Sequence, residues 1–447
     1  PIFRQVASER PGFAPAWLGW RGALAALGQG AQAQQLAADW ARAAPNRQPA
    51  IRTVMTRPLS PRGLAFDPRE PIPIRAAGES LAEVGEPGAL HSGEDSILVL
   101  ERGGAAVELE PVIPLSTAGP QQTRFSYRRG AKFIAAIDNG AVIGRGLVLN
   151  RAGEFPEETD PPSSLEKADF ARVDGNIITN PLNFQDGACP VRIFDEPALL
   201  MACPTDTSFG DWMLKVPDRL AIAAEIGLDC PLLLREGTDE RFIQMLGVLG
   251  WDTRRILYHD PQGVSLLPRL YTTSWPLHRW NTPMSDLLGI FRRAREPRRA
   301  PPGAGERVYL SREGAPKRRL VNEAEIRNLF ERRGFRAVRP EALDLQETRD
   351  LFANADIVAG PYGSAFLNVV HSPQPPVALV LMPPAPERYL HEIALWLGSS
   401  GSQFAYVRGD AAPARKKTDP WSIPADKVDA AIDELLDLQS RRVGRSA

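Results

Sequence analysis

The fold of this chain is decided by the stretch 307–384, in which three apolar segments read VYLSR (308–312), ADIVAGPYGSAFLN (355–368) and VALVLM (377–382). The segments between them carry apolar residues at helical spacing. The stretch therefore predicts strand, helix, strand, helix, strand, glycine-rich turn, helix and strand. Such alternation is typical of a parallel sheet covered by helices. Because these sheets bind ligands at the carboxyl ends of their strands, we expect the functional site there.

Outward from this stretch, the chain predicts an α/β protein with two Rossmann-like domains. The segment 186–295 is the first, with predicted strands at 198–202, 231–234, 255–257 and 270–272 and predicted helices at 211–226 and 240–249. The helix 211–226 carries its apolar residues on one stripe. The segment 306–420 is the second, with a helix predicted at 387–397 and a strand at 404–407 in its last part, and 421–447 is a predicted carboxyl-terminal helix. A run rich in Arg, Pro and Gly at 292–306 marks the linker between the two domains. A cleft between two such domains is a common place for a small-molecule site.

The amino-terminal part is less regular. Residues 1–46 are typical of one tetratricopeptide-like helical hairpin, with a plain Ala-rich hairpin as the alternative. A single repeat cannot bury its own face, so docking of a protein partner here is a hypothesis. Residues 47–185 predict a β-rich lead-in. Within it, Asp138-Asn139-Gly140 separates two apolar segments, which predicts a hairpin with a type I′ turn.

Composition argues against several classes of function. A net charge of −1, with 43% hydrophobic and 24% charged residues, describes a soluble globular protein without bulk attraction to nucleic acid or anionic lipid. Three cysteines and five histidines lack metal-ligand spacing, so we expect no metal and no other cofactor. No segment offers the roughly 18 apolar residues of a membrane span, and no secretory signal is seen. The expected location is the cytoplasm, with a peripheral place at the inner membrane as the alternative.

Residues suited to binding an anion gather around the glycine-rich turn. Gly360 and Gly363 let backbone approach a ligand closely, and Ser364 would cap a helix whose free N–H groups favour phosphate. Arg312 leaves the end of the first strand, and Arg318 follows with Arg319 in a short loop. Guanidinium groups bind diphosphate oxygens in bidentate fashion, which makes these arginines natural partners of a nucleotide.

Each of these features has a structural alternative. A strand–glycine–helix turn often serves tight packing alone, and the arginine loop is equally consistent with a solvated surface. Glu341 follows the second strand, where a carboxylate accepts ribose hydroxyls, or it is a surface acid. Asn322 with Glu325, and Asp344 with Glu347, fit capping boxes, so Asn322 is interpreted as a helix cap.

Taken together, these motifs resemble the carboxyl-terminal half of glycosyltransferase family 61. The resemblance rests on YLSR (309–312), on Arg318 four residues before Asn322-Glu323, and on the turn GPYGS (360–364). It extends more weakly back to residue 197. It implies a GT-B arrangement of the two domains and an inverting, metal-independent transfer of a sugar from a nucleotide-sugar donor to a glycan acceptor. Carried over residue by residue, Arg312, Arg318, Gly363, Ser364 and Glu341 would hold the donor.

Two positions depart from the family pattern. Tyr362 stands where the turn of the family has histidine, and Asp211 stands where the helix of the first domain has histidine. Asp211 is the leading candidate for the base that deprotonates the acceptor, with an N-cap role as the alternative. Tyr362 is expected to hydrogen-bond to the donor or stack on it. His278 and His391 are further candidates for the base, with a bland structural role as the alternative for each.

We interpret the chain as a bacterial-type glycosyltransferase of surface or capsular polysaccharide. A catalytically inactive nucleotide-sugar or glycan-binding module is the first alternative, because both family histidines are replaced. An epimerase or dehydrogenase of nucleotide-sugar metabolism is disfavoured, because no G-x-G-x-x-G follows an early strand.

Overall fold

A computed structural model describes residues 57–59, 72–75, 81–91, 93–151, 153–156, 170–173, 176–179, 189–202, 208–274, 289–291, 294, 300–301, 304–315, 317–384, 387–410 and 419–446. Contacts divide the chain into two compact units, residues 1–103 with 130–279 and residues 104–129 with 280–447. The predicted helical hairpin 1–46 and much of the predicted linker lie outside the described residues.

The first unit contains both strands and helices. Those that the sequence predicted lie mainly in the second half of the unit. Its elements are β1 (Arg57–Leu59), β2 (Ile72–Arg75), β3 (Ala82–Val84), η1 (Pro87–His91), β4 (Ser96–Glu101), β7 (Lys132–Asp138), β8 (Ala141–Ile143), β9 (Leu147–Leu149), β10 (Phe155–Pro156), β11 (Phe170–Val173), β12 (Asn176–Thr179), β13 (Cys189–Ile193), β14 (Ala198–Leu200), α1 (Phe209–Glu225), β15 (Leu232–Arg235), α2 (Glu240–Val248), β16 (Ile256–His259), β17 (Val264–Leu266) and β18 (Arg269–Thr273).

The largest sheet of this unit has seven strands in the order β16-β15-β14-β18-β7-β4-β3. Strands β16, β15, β14 and β18 run parallel, as the alternation of strands and helices predicted. Strand β7 pairs antiparallel to β18, so the segment 47–185 supplies part of this sheet and is more than a lead-in. The physical reason is that Ile134, Ala135, Ala136 and Ile137 are all fully buried, which suits a central strand covered on both faces.

The predicted hairpin around Asn139-Gly140 is wrong. Strand β7 pairs with β18 and β4, whereas β8 pairs with β17 and β9 in a separate five-stranded sheet. Asn139 takes a positive φ of 48°, but Gly140 does not take a positive φ, so the predicted type I′ turn is not formed either. The chain uses that turn to pass from one sheet to another.

The stripe of apolar residues predicted on α1 is confirmed. Trp212, Met213, Val216, Leu220 and Ala223 are all buried. The Trp212 ring stacks on Phe242 of α2 at a centroid distance of 4.6 Å. Helices α1 and α2 therefore pack against each other through aromatic side chains.

The second unit contains β5 (Ala106–Leu109), η2 (Ser116–Ala118), β6 (Phe125–Arg128), β19 (Glu306–Leu310), α3 (Glu323–Arg332), β20 (Arg336–Val338), η3 (Pro340–Ala342), α4 (Leu345–Asn354), β21 (Ala355–Pro361), η4 (Ser364–His371), β22 (Val377–Met382), α5 (Arg388–Ser399), β23 (Phe404–Arg408) and α6 (Ala425–Ser446). The sequence predicted every strand and helix of this unit from β19 onward, except the short η3. The segment after the glycine-rich turn, predicted as an α-helix, is the 3-10 helix η4.

The five strands β19 to β23 form a fully parallel sheet in the order β20-β19-β21-β22-β23. Helices α3 and α6 pack on one face, over a core that includes Tyr309, Ile357 and Leu379. Helices α4 and α5 both contact η4. This strand order is that of a doubly wound domain, in which the direction of winding reverses between the first and third strands in the chain. Here those strands are β19 and β21.

Local signals fix the ends of several of these elements. Asp344 and Glu347 form the predicted capping box of α4, with the Asp344 carboxylate accepting from the Glu347 backbone N–H at 2.7 Å. Asn322 is the N-cap residue of α3, as predicted, but the predicted capping box is not formed, because its side chain makes no cap hydrogen bond. Its amide instead donates to the Ile423 carbonyl at 2.8 Å and ties α3 to the segment that leads into α6.

Candidate functional site

The reversal between β19 and β21 brings together the two segments that the sequence analysis singled out. Strand β19 ends at Leu310, directly before Ser311-Arg312, and β21 ends at Pro361, directly before Tyr362 and Gly363. Gly360 has a φ of 151°, and a Cβ there would lie 2.5 Å from the Leu310 carbonyl oxygen. Glycine thus lets the two strands approach closely at the edge where doubly wound domains bind ligands.

Arg312 is held at this edge by its backbone and its side chain. Its backbone N–H donates to Glu323 at 2.5 Å, and its Nη2 donates to the Lys317 carbonyl at 3.2 Å. The guanidinium passes so close to Gly363 that a Cβ on that residue would lie 2.2 Å from Nη1. Gly363, with an extended φ of 177°, is therefore needed to make room for a side chain rather than to turn the backbone.

Arg318 reaches the same edge from the loop between β19 and α3. Its φ of 55° is unusual for a residue with a Cβ, and the Trp421 indole N–H anchors its carbonyl at 3.1 Å. Its guanidinium carbon lies 5.1 Å from the centroid of the Tyr362 ring and 5.5 Å from that of Tyr389. Both distances fall within the range of cation–π attraction.

The two guanidinium groups are short of negative partners. Within the part of the chain that the structure describes, neither Arg312 nor Arg318 forms an ion pair, and the buried Nε atom of each has no hydrogen-bond partner. Burial lowers the pKa of Arg312, and the neighbouring charge of Arg318 lowers it further. Two adjacent cations that have no ion-pair partner among the described residues form a site that a bound anion would stabilise.

Tyr362 is placed differently from what was expected of a donor contact. It is only 2% exposed, its hydroxyl donates to Glu392, and its ring stacks on Tyr389 at 4.6 Å between centroids. Burial raises the pKa of Tyr362 well above its ordinary value, and the nearby Glu392 carboxylate adds to this. Tyr362 is therefore unsuited to deprotonating an acceptor, and its contact with Arg318 is its link to the anion site.

Of the other predicted donor residues, Glu341 and Ser364 lie at the same edge of the sheet. Glu341 in η3 is exposed and pairs with Arg339 at 3.2 Å, and its charge acts on Arg312. Ser364 is the first residue of η4, whose N-cap residue is Gly363, so Ser364 is not the cap. Donor binding by Glu341, Gly363 and Ser364 stays a prediction.

Sequence reasoning missed the role of Glu323. This carboxylate accepts from the Ser311 hydroxyl at 3.0 Å as well as from the Arg312 N–H, which fixes the course of the chain just after β19. Burial raises the pKa of Glu323. The position of Glu323 in the first turn of α3 could have indicated this role from the sequence, because that turn faces the end of β19.

Sequence reasoning also missed three residues of α5. Tyr389, Glu392 and Trp396 are spaced by three and four residues, so they share one face of the helix. That face meets Tyr362, with Trp396 stacked at a centroid distance of 6.1 Å. The helix was predicted, but nothing in its sequence shows which partner its aromatic face meets.

Asp211 lies in the first unit, near the start of α1. Ser208, not Asp211, is the N-cap, and the Ser208 hydroxyl donates to the Asp211 carboxylate at 2.8 Å. The other carboxylate oxygen of Asp211 pairs with Lys215 at 3.1 Å. Both oxygens thus have partners, and a catalytic role for Asp211 stays a prediction.

The alternative histidines give no better base among the described residues. His391 packs edge-on against Phe125 and Tyr127 of β6, at centroid distances of 5.2 and 6.4 Å. His278 lies outside the described residues. A catalytic role for His278 or His391 stays a prediction.

Part of the chain is similar to a known protein family. Residues 209–380 match the model of the family described as Glycosyltransferase 61. The match spans α1 of the first unit through β22 of the second, and it includes every predicted donor residue. No curated protein matches the chain. The family match supports glycosyltransferase activity and, with it, a nucleotide-sugar donor and an acceptor as substrates.

Two absences hold for the described residues only. No helix among them is long and apolar enough to cross a membrane. No group of three or more His, Cys, Asp or Glu side chains within the same residues is arranged to hold a metal ion.

Proposed function

We propose that this protein is an inverting, metal-independent glycosyltransferase that moves a sugar from a nucleotide-sugar donor to a glycan acceptor in the synthesis of surface or capsular polysaccharide. The observation that carries the proposal is the pair of guanidinium groups, Arg312 and Arg318, at the winding reversal of a parallel sheet within the matched region. Neither has an ion-pair partner in the described part of the chain. A diphosphate supplies the negative charge that this pair lacks, and planar guanidinium groups bind its oxygens in bidentate fashion.

The proposed chemistry follows from where charge develops. When the bond between the anomeric carbon and the diphosphate oxygen breaks, the electron pair leaves with that oxygen. Arg312 and Arg318 are placed to stabilise the added negative charge, because they are fixed before the reaction and need not reorganise. Inversion requires a base that takes the acceptor proton while the acceptor oxygen attacks the opposite side of the sugar. Asp211 is the proposed base, and it must exchange its contacts with Ser208 and Lys215 to act.

Binding and turnover test the proposal separately. Nucleoside diphosphates and nucleotide-sugars are screened by thermal denaturation in EDTA, where a ligand at about a hundred times its dissociation constant stabilises by roughly 2.7 kcal/mol. We expect a selective shift that Arg318→Ala removes. Arg332→Ala is the matched control, because Arg332 is an exposed arginine on α3 of the same unit. No shift with any nucleotide, or equal shifts in both variants, would contradict the donor site.

Turnover then tests Asp211. The expected result is that Asp211→Asn binds the nucleotide normally but no longer releases nucleoside diphosphate from the donor. If the variant instead loses thermal stability and keeps its turnover, Asp211 stabilises α1 and takes no part in the reaction.

A catalytically inactive nucleotide-sugar-binding module is the second candidate. The observation that favours it is the burial of Tyr362 at the position of the family histidine, which removes one base from the site. It predicts selective nucleotide binding with no release of nucleoside diphosphate by the wild-type protein in the presence of any glycan acceptor tested.

A further inference from the structure

We propose that Tyr362 and Tyr389 form an aromatic platform that positions Arg318 for anion binding, and that Tyr389 is a positioning residue of the donor site although it lies beyond the region matched to the family. The inference rests on the proposed function, because it assigns Arg318 to the donor diphosphate. Tyr362 and Tyr389 act through Arg318, so they are positioning residues rather than catalytic ones.

The platform is built in layers. The Tyr389 ring stacks on Tyr362 at 4.6 Å with an interplanar angle of 26°, and Trp396 stacks on the same Tyr362 ring at 6.1 Å with an angle of 14°. Glu392 accepts the hydrogen bond from the Tyr362 hydroxyl and so fixes the rotation of that ring. Tyr389, Glu392 and Trp396 all come from one face of α5. Helix α5 therefore fixes the positions of the Tyr362 and Tyr389 rings.

Arg318 lies nearly equidistant from the two ring centroids, at 5.1 and 5.5 Å. Its backbone has the left-handed φ of 55°, which costs free energy for a residue with a Cβ. Its Nε has no hydrogen-bond partner among the described residues. An arginine side chain without such partners would sample many rotamers, so the rings are what restricts the guanidinium.

This arrangement has a consequence for binding. Immobilising a long side chain on association costs free energy, and a side chain that is already held avoids that cost. With both rings present, the edge of the Arg318 guanidinium stays available for oxygen atoms of a diphosphate. We expect the platform to strengthen binding of any diphosphate, whatever its base or sugar.

The test is isothermal titration of the full chain with inorganic pyrophosphate in EDTA. Tyr389→Leu removes the ring and should weaken binding about tenfold, equivalent to about 1.4 kcal/mol. Tyr389→Phe keeps the ring and should bind within about twofold of wild type. Tyr406→Leu is the matched control, because Tyr406 is a buried tyrosine beside a different arginine, with Arg408 Cζ at 5.8 Å from its ring centroid. It should leave pyrophosphate affinity unchanged.

Three results would overturn the platform. The first is Tyr389→Leu binding as tightly as wild type. The second is Tyr389→Phe binding as weakly as Tyr389→Leu, which would assign the effect to the hydroxyl. The third is an equal loss in Arg388→Ala, since Arg388 also lies 5.2 Å from the Tyr389 ring centroid and the effect would then pass through that exposed arginine. By contrast, unchanged binding in Arg318→Ala would refute the donor site itself.

A second measurement needs no change to the tyrosines and remains valid if Tyr389→Leu fails to fold. The Nε–Hε resonance of Arg318, assigned by its absence from the spectrum of Arg318→Lys, should show a ring-current shift in the free wild-type protein. A resonance at the position of a solvated arginine would show that the rings do not hold the side chain.

Discussion

Gly363→Ala separates the binding role of the glycine-rich turn from its structural role. Gly363 has an extended φ of 177°, so alanine fits its backbone without strain. The added Cβ, however, would lie 2.2 Å from Nη1 and 3.2 Å from Cζ of Arg312. Because these atoms end a flexible side chain, the guanidinium is displaced while the backbone of β21 stays in place.

The magnitudes follow from this geometry. Replacing glycine by alanine at a compatible position stabilises by about 0.4–1 kcal/mol through the unfolded chain, which offsets part of the lost packing of Arg312. The free energy of unfolding should thus change by less than about 1 kcal/mol. Hydrogen bonds to a charged group contribute about 1.5–3 kcal/mol, so losing those of Arg312 should weaken pyrophosphate binding about 10- to 150-fold.

The assay combines pyrophosphate titration with urea denaturation. Gly289→Ala is the matched control, since a Cβ there meets nothing within 4 Å. In an Arg312→Ala background, Gly363→Ala should weaken binding no further, because both changes remove the same contact. Full affinity of Gly363→Ala, or an undiminished effect of it in the Arg312→Ala background, would refute the reasoning.

Three further predictions concern stability. Gly360→Ala places a Cβ 2.5 Å from the Leu310 backbone oxygen at a φ of 151°, so urea denaturation should show a loss of about 2–4 kcal/mol; a loss below about 1 kcal/mol would contradict the close approach. The free energy of unfolding of Arg318→Gly should be about 1 kcal/mol higher than that of Arg318→Ala, because glycine accepts the φ of 55°. Equal free energies would show that the backbone at this position is not strained. Burial lowers the pKa of His259 to about 4, so on acidification the imidazole is protonated in the unfolded chain before it is protonated in the folded one. The free energy of unfolding should therefore fall as pH drops from 6.5 through about 4. Denaturation midpoints should fall less steeply with pH in His259→Gln, and a pH dependence equal to that of wild type would contradict this.

The sequence predicted the second unit well because its local signals agree with its fold. The apolar run 377–382 predicted a buried strand, and β22 is a central strand of the parallel sheet. The pair Asp344 and Glu347 predicted the start of α4. Arg312 and Gly363 were predicted at the same edge of the sheet because both follow parallel strands, and the structure places them close together there.

What the sequence could not show depends on partners far away in the chain. Asp138-Asn139-Gly140 carries a hairpin signal, but strands β7 and β8 find better partners more than a hundred residues later, so tertiary pairing overrides the turn. Asn322 has the sequence of a cap but bonds to Ile423. Tyr362 was expected at the donor, and only the position of α5 shows that it is covered by Tyr389 and Glu392.

The central claim is that Arg312 and Arg318 bind the diphosphate of a nucleotide-sugar. Its most direct test is isothermal titration of the full chain in EDTA with the nucleoside diphosphate that stabilises it most, using wild type, Arg312→Ala, Arg318→Ala and Arg332→Ala. The account predicts saturable binding by wild type and Arg332→Ala, and a loss of at least about tenfold in each of the other two variants. Equal affinity in all four proteins, or no binding by wild type, would contradict it.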